Sequence, residues 1–178
     1  MNIVLACGAS AALHKACDLA SQLAQKGHAV RTVLTPRAAR LVHPQLFAAL
    51  TGEAAESDEF GPERRTAMDH IDLARWAELF LVAPAPADLV ARLALGLGDD
   101  LVTTTALALP TTLPRILCPA MNPNMWSAPP LRRNVATLIQ DGWKILEPDS
   151  GHTACGVQGK GRMAEPAAIL EAVARLGR

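Results

Sequence analysis

Short apolar runs alternate along the chain with longer stretches in which apolar residues recur at helical spacing. The runs predict strands at Asn2–Cys7, Ala29–Leu34, Leu79–Ala83, Arg115–Cys118 and Trp143–Leu146. Between them, apolar positions three and four residues apart predict helices such as Ala11–Lys26, which Gly27 ends. Strands that alternate with helices indicate a parallel sheet covered on both faces. We therefore predict an α/β fold with a doubly wound parallel sheet, a Rossmann- or flavodoxin-like three-layer sandwich.

The composition is that of an ordinary globular protein. The chain has 178 residues, 50% of them hydrophobic, and 17 Lys+Arg balance 17 Asp+Glu to a net charge of +0. This length predicts a single domain over residues 1–178, and the apolar fraction excludes a disordered chain. Balanced charge and only 3% aromatic residues argue against a nucleic-acid partner.

Nothing in the sequence predicts a membrane or a secretory location. The apolar run after Met1 has the length of a strand, and no apolar stretch approaches the roughly 20 residues of a membrane span. The four cysteines form no CxxC pair. Reduced thiols, and hence a cytoplasmic protein, are expected.

Candidate ligand-binding residues follow the predicted strands, because doubly wound sheets bind ligands at the carboxyl ends of their strands. Gly8-Ala9-Ser10 opens a helix, where backbone N–H groups and the Ser10 hydroxyl can hold a phosphate. Gly8 stands without the other glycines of the dinucleotide fingerprint, which favours a mononucleotide, although a plain strand–helix turn has the same pattern. Thr35, after the second strand, can donate to the same phosphate or cap a helix.

Three further segments carry candidate chemistry. His70, near the start of a short helix, is either a base or a surface histidine. The segment Pro119–Trp126 holds Asn122 between prolines, as a preorganised site or a rigid structural loop. Gly151–Met163 contains four glycines and predicts a mobile loop that closes over a ligand and exposes Cys155. No metal-ligand spacing and no GxSxG elbow is present, so neither a metal site nor a serine hydrolase is expected.

Together these segments resemble the flavin-containing cysteine decarboxylase family over nearly the whole chain. The residues from His70 to Ala77 are similar to the family's catalytic histidine segment, and Ala83–Asp88 to its flavin-binding loop. Pro119–Trp126 matches the family's PxMNxxMW motif, which is highly specific. Ala154–Met163 resembles the substrate clamp of the branch that acts on phosphopantothenoylcysteine in coenzyme A synthesis.

The resemblance implies bound FMN and assembly into trimers, sometimes into dodecamers built of trimers. It implies that His70 is the active-site base and that Cys155 is the proton donor of the last step. The implied substrate-binding residues are Arg75, Asn122, Met125 and Ala154. The implied cofactor-binding residues are Gly8, Ser10, Thr35, Ala85, Pro86, Ala87 and Asp88. Pro86 stands where the family usually carries Thr or Ser, so one hydroxyl toward the cofactor is missing.

Loss of carbon dioxide from an acylated cysteine leaves a carbanion that needs an electron sink, and the acylated amino group cannot provide one as a pyridoxal imine. Oxidation of the side chain by flavin to a thioaldehyde supplies that sink, carbon dioxide leaves, and the enethiol is reduced again. The expected function is therefore FMN-dependent decarboxylation of phosphopantothenoylcysteine to phosphopantetheine. The alternatives are a peptidyl-cysteine decarboxylase, a flavin prenyltransferase and a non-catalytic flavoprotein. Ala154–Met163 disfavours the first, Pro119–Trp126 the second, and intact His70, Asn122 and Cys155 the third.

Overall fold

A parallel sheet of six strands forms the centre of the protein, in a computed structural model that describes residues 1–61, 66–152 and 156–176. Its strands are β1 (Asn2–Cys7), β2 (Ala29–Leu34), β3 (Ala55–Glu56), β4 (Leu79–Ala85), β5 (Arg115–Pro119) and β6 (Lys144–Ile145). Their spatial order is β3-β2-β1-β4-β5-β6, with every neighbouring pair parallel. This is the strand order of Rossmann-type sheets, which confirms the predicted fold class.

Helices cover both faces of this sheet. In chain order they are α1 (Leu13–Gln25), α2 (Pro36–Ala39), α3 (Pro44–Thr51), α4 (Asp69–Trp76), α5 (Ala87–Leu95), α6 (Leu101–Ala108), α7 (Pro123–Ser127), α8 (Pro129–Gln140) and α9 (Pro166–Ala174). One core lies under α1, α3 and α9, and the other under α4, α5, α6 and α8. Alternate residues of β1 enter the two cores, which is why its sequence is apolar throughout. Among the helices described, none has the length and apolarity needed to cross a lipid bilayer.

Three segments differ from the sequence predictions. The stretch 53–66 is polar, a pattern that predicts a surface excursion, but it contains β3, whose Ala55 and Glu56 are buried. The proline-rich loop after β5 contains α7. The described part of the glycine-rich segment is not a mobile loop but an antiparallel hairpin of β7 (Asp149–His152) and β8 (Gln158–Arg162). In each case the element is too short or too rich in proline or glycine for periodicity to reveal it.

Candidate functional site

Three loops meet at the carboxyl end of β1, where the order of the strands reverses. The N–H of Thr35, after β2, donates to the Cys7 carbonyl at 2.9 Å. On the other side, the Gly8 N–H donates to the carbonyl of Pro84 in β4, also at 2.9 Å. The fold therefore brings together the predicted residues of the loops after β1, β2 and β4, at the switch point where such sheets bind nucleotides.

The loop after β1 presents backbone donors. The Ala12 N–H donates to Ser10 Oγ at 3.2 Å, and the Leu13 N–H to the Ser10 carbonyl at 3.1 Å. No hydrogen bond between described residues uses the amides of Ala9, Ser10 or Ala11. These amides directly precede α1, whose dipole adds partial positive charge at that end. The arrangement suits an anionic group such as a phosphate.

Thr35 has the structural role that the sequence left open. Its side chain is buried and caps α2, because Oγ1 accepts from the Ala38 N–H at 3.1 Å. A capping hydroxyl keeps its own proton to donate, so the cap is compatible with a bond to a phosphate.

Pro86, in the loop after β4, packs directly on Gly8. A Cβ added to Gly8 would lie 2.8 Å from Pro86 Cγ and closer still to its Cδ, distances that real Cβ atoms essentially never show. Gly8 is not in the left-handed backbone region, so this contact is what requires a glycine. Pro86 is also the N-cap of α5 and gives that helix no side-chain hydrogen bond. The hydroxyl missing at this position therefore also leaves α5 without a side-chain cap.

A chain of charged side chains connects α2, α5 and the start of α6. Arg37 Nη1 lies 3.6 Å from Asp88 Oδ2, and Arg92 Nη2 lies 3.5 Å from the same oxygen. Arg92 also pairs with Asp99 at 2.8 Å and with Asp100 at 2.6 Å. Burial by itself would lower the pKa of Arg92, but hydrogen bonds with Asp100 and Asp99 raise it above its ordinary value. Sequence reasoning missed Arg37, whose partner lies on another helix. It also missed Arg92, although the i,i+4 spacing from Asp88 predicts that contact.

His70 lies in the first turn of α4, with Nδ1 3.3 Å from Oε2 of Glu59, close enough for an ion pair when the imidazole is protonated. The N-cap of α4 is Met68, and Asp69 is the first residue of the helix. The buried Asp69 carboxylate accepts from the N–H and hydroxyl of Thr66, at 2.6 and 2.9 Å. Because α4 leads into the amino end of β4, its own first turn lies toward the carboxyl edge of the sheet.

The PxMNxxMW segment runs from the end of β5 through most of α7 and packs against β8 of the hairpin. Asn122 caps α7, with Oδ1 accepting from the Asn124 N–H at 2.8 Å, while Met125 is 47% exposed. The Met121 N–H donates to the Gly161 carbonyl at 2.9 Å. A Cβ on Gly161 would collide with the Met121 carbonyl oxygen, so the close approach of β8 depends on this glycine.

The predicted site residues fall into two sets along the same edge of the sheet. The Ala120 N–H donates to the Ala85 carbonyl at 3.0 Å, which places the segment that contains Asn122 beside Ala85 and Pro86. His70 and the exposed Arg75 lie on α4, which packs against α6, whereas α7 packs against α8 and β8. The sets therefore stand over different parts of the edge. The predicted residues Ala154 and Cys155 lie outside the described residues.

Sequence reasoning also missed the ion pairs that hold the hairpin. Lys15 of α1 binds Glu165 Oε1 at 2.7 Å, and Arg162 at the end of β8 binds the same oxygen at 3.0 Å. The hydrogen bond from Lys15 holds the pKa of Glu165 below its ordinary value. Lys160 pairs with Glu147. Lys15 and Glu165 are 150 positions apart, so nothing local in the sequence predicts their contact.

Two cysteines of β1 and β5 are unsuited to catalysis. Cys7 and Cys118 are fully buried, and burial raises the pKa of both thiols. A thiol that resists ionisation is a poor nucleophile and a poor metal ligand. Within the part of the chain that the structure describes, no group of three or more His, Cys, Asp or Glu side chains could hold a metal ion.

Known proteins resemble this chain over almost its whole length. The Flavoprotein family model matches residues 1–177. The coenzyme A biosynthesis bifunctional protein CoaBC of Bacillus subtilis is 42% identical over 170 residues, which are 96% of this chain and 41% of that protein. The chain thus spans about two fifths of the length of the curated relatives it matches.

Solved structures resemble the chain over nearly its full length. A cysteine-to-serine mutant of PPC decarboxylase, complexed with pantothenoylaminoethenethiol, has a TM-score of 0.86 and 29% identity, covering 97% of this chain and 95% of that one. The FMN-dependent cysteine decarboxylase SpaF has a TM-score of 0.82 and 29% identity, covering 100% of this chain and 98% of that one.

Proposed function

Because the chain belongs to the Flavoprotein family, we propose that it is an FMN-dependent carboxy-lyase that converts phosphopantothenoylcysteine to phosphopantetheine in coenzyme A biosynthesis. The observation that carries the proposal is the match to PPC decarboxylase complexed with pantothenoylaminoethenethiol. An enethiol is what remains when an acylated cysteine is oxidised by two electrons and loses carbon dioxide. We propose that residues 1–178 act as one flavoprotein decarboxylase domain.

The crevice at the switch point, between the segments that follow β1 and β4, is where such sheets bind nucleotides, and its residues suit a flavin nucleotide. The unpaired amides of Ala9, Ser10 and Ala11 at the start of α1 suit a phosphate, and the Thr35 hydroxyl follows the neighbouring strand. Ala85–Asp88, which joins the end of β4 to the start of α5, lies on the other side of the crevice. When bound, FMN would accept two electrons from the substrate and return them, which makes the loss of carbon dioxide feasible without an external oxidant.

We assign proton transfer to His70 and Cys155. His70 would take the proton of the substrate thiol, a role typically worth about 10²–10⁴-fold in rate. The carboxylate of Glu59, 3.3 Å from Nδ1, would face the ring when it carries that proton. Cys155 would supply the proton when the enethiol is reduced.

Substrate binding falls to the α7 segment and α4. Because Oδ1 of Asn122 already accepts from the Asn124 N–H, the NH₂ group of the amide is the part that would donate to the substrate carboxylate. Met125, about half exposed beside it, would pack against the substrate. Arg75 on α4 would add a cationic contact, and Ala154 would belong to the segment that covers the substrate.

The direct test is turnover of phosphopantothenoylcysteine by the purified protein, with carbon dioxide and phosphopantetheine measured separately. A Cys155→Ser variant should still release carbon dioxide but accumulate the oxidised enethiol product. Release of neither product by a flavin-bound wild-type protein would refute the substrate, and full phosphopantetheine formation by the variant would remove Cys155 from the mechanism.

Similarity to SpaF supports a second candidate, oxidative decarboxylation of the C-terminal cysteine of a peptide. A competition assay separates the two, with phosphopantothenoylcysteine and a cysteine-terminated peptide at equal concentrations. We expect the small substrate to be consumed first. Preferential consumption of the peptide would establish the second candidate instead.

We further propose self-association into trimers or dodecamers. Leu95, Leu97 and Leu107 expose 66%, 50% and 57% of their surface around one groove between α5, α6 and α8. Clustered exposed leucines of this kind mark interaction surfaces. Light scattering on the flavin-loaded protein should give at least three times the mass of the chain, and a monomer would refute this assignment.

We place the protein in the cytoplasm. Cys7, Cys17 and Cys118 are free thiols, and thiols persist in reducing compartments.

A further inference from the structure

The contact between Arg37 and Asp88 crosses the end of β1. Arg37 follows β2 and Asp88 follows β4, the two neighbours of β1 in the sheet. Strands on either side of a third strand lie about 9.5 Å apart. A separation of 3.6 Å between Arg37 Nη1 and Asp88 Oδ2 therefore shows that the two side chains meet at the end of the sheet where the loop after β1 lies.

That loop carries the unpaired amides of Ala9, Ser10 and Ala11. Residues 8–12, 35–39 and 83–88, which surround the crevice, contain a single basic side chain, that of Arg37. A phosphate held by amides alone would leave most of its charge uncompensated. Arg37 is the one side chain of these three loops that can supply a cation.

The carboxylate of Asp88 does not fully neutralise Arg37. The same Oδ2 atom is shared with Arg92, 3.5 Å away, and Arg92 is held in turn by Asp99 and Asp100. Arg37 is 74% exposed, and a guanidinium has several N–H donors in a planar fork, so one carboxylate contact leaves donors for a second anion.

We propose that Arg37 binds the phosphate of FMN, and that Asp88 positions its guanidinium over the crevice. The inference rests on the proposed function, because it takes the ligand of the crevice to be a flavin nucleotide. It makes Arg37 the side chain that adds a positive charge to the discrimination between FMN and riboflavin.

The test measures dissociation constants of FMN and riboflavin by flavin fluorescence, on protein freed of flavin, for the wild type, Arg37→Ala and Arg40→Ala. Arg40 is also exposed, one turn along from Arg37 at the end of α2, and is the matched control. Arg37→Ala should weaken FMN binding about tenfold or more, since the lost contact is charge-assisted, and should leave riboflavin binding within about twofold. Arg40→Ala should change neither constant.

If the Arg37→Ala variant binds FMN as tightly as the wild type does, the inference about Arg37 is overturned and the proposed function is not. The same holds if the variant loses FMN and riboflavin affinity by the same factor, since the effect would not involve the phosphate. Wild-type protein that binds neither flavin would overturn the proposed function together with the inference. Because Arg37 is largely exposed, we expect the thermal midpoint of the variant to match that of the wild type.

Discussion

Replacement of Gly8 by alanine should force apart the segments that follow β1 and β4. The new Cβ would lie 2.8 Å from Pro86 Cγ, closer to Cδ, and 3.0 Å from Leu89 Cδ2, whereas ordinary contacts begin at 3.4 Å. The loop after β4 therefore has to move by more than about half an ångström, while the Gly8 N–H bond to the Pro84 carbonyl beside it resists. The crevice should distort where the proposed phosphate amides lie.

The expected cost is that of overpacking, about 1–3 kcal/mol of unfolding free energy. For a chain of this size, that corresponds to a fall in thermal midpoint of roughly 2–12 °C. Differential scanning calorimetry measures the fall, and flavin fluorescence measures the expected loss of FMN retention. Gly98→Ala is the control, because the one tight contact of its Cβ would be with a methyl of Leu107 at 3.1 Å, and a flexible side chain can yield. Its other contacts, with Thr104 at 3.5 and 3.7 Å, are ordinary.

A double-mutant cycle decides whether Pro86 is the cause. Pro86→Ala removes both Cγ and Cδ, so Gly8→Ala should cost much less in that background than in the wild type. An equal cost of Gly8→Ala in both backgrounds would refute the steric reasoning, and an unchanged midpoint would refute the packing itself.

Three further changes test other parts of the structure. Gly161→Ala should push β8 away from the Met121 carbonyl. Proteolysis within residues 149–162 should therefore accelerate, while the global thermal midpoint hardly changes. Unchanged proteolysis would contradict the close contact between Gly161 and Met121. Because the hydrogen bond from Lys15 depresses the folded-state pKa of Glu165, its stabilisation is present above the ordinary pKa of 4.5 and is lost as the pH falls through the depressed value. The difference in unfolding free energy between wild type and Glu165→Gln should therefore shrink in acid, and a difference that does not vary with pH would exclude this linkage. Asp100→Ala removes the side-chain cap of α6 and should cost about 1–2 kcal/mol of unfolding free energy. Asp100→Asn can still cap the helix and should cost clearly less. Equal losses in the two variants would point to the ion pair with Arg92 and not to the cap.

The central strands were predictable because burial on both faces leaves a continuous apolar run. β1 and β2 have the bounds that their sequences indicate, Asn2–Cys7 and Ala29–Leu34. β3 has two residues and ends on the buried Glu56, so neither its length nor its polarity marks a strand. Its position depends on pairing with β2, a tertiary contact that local sequence does not encode.

The location of the site was predictable from topology, but its contacts were not. Parallel strands place their following loops at one edge, which brings Gly8, Thr35 and Pro86 together without further information. The ion pair of Arg37 with Asp88 depends on side chains that reach between two loops, and no periodicity predicts it. The glycines of β8 were similarly misleading, because glycine in a strand can permit close backbone approach and not only flexibility.

The close contact of Gly161 in β8 with the Met121 backbone has a consequence for engineering the substrate range. An isolated two-stranded ribbon is at best marginally stable in water, so β7 and β8 depend for their shape on the surface beneath them. Any attempt to graft this ribbon from a relative should therefore transplant residues 119–126 in the same exchange. A chimera in which any other residue stands at position 161 would direct its Cβ into the Met121 carbonyl oxygen.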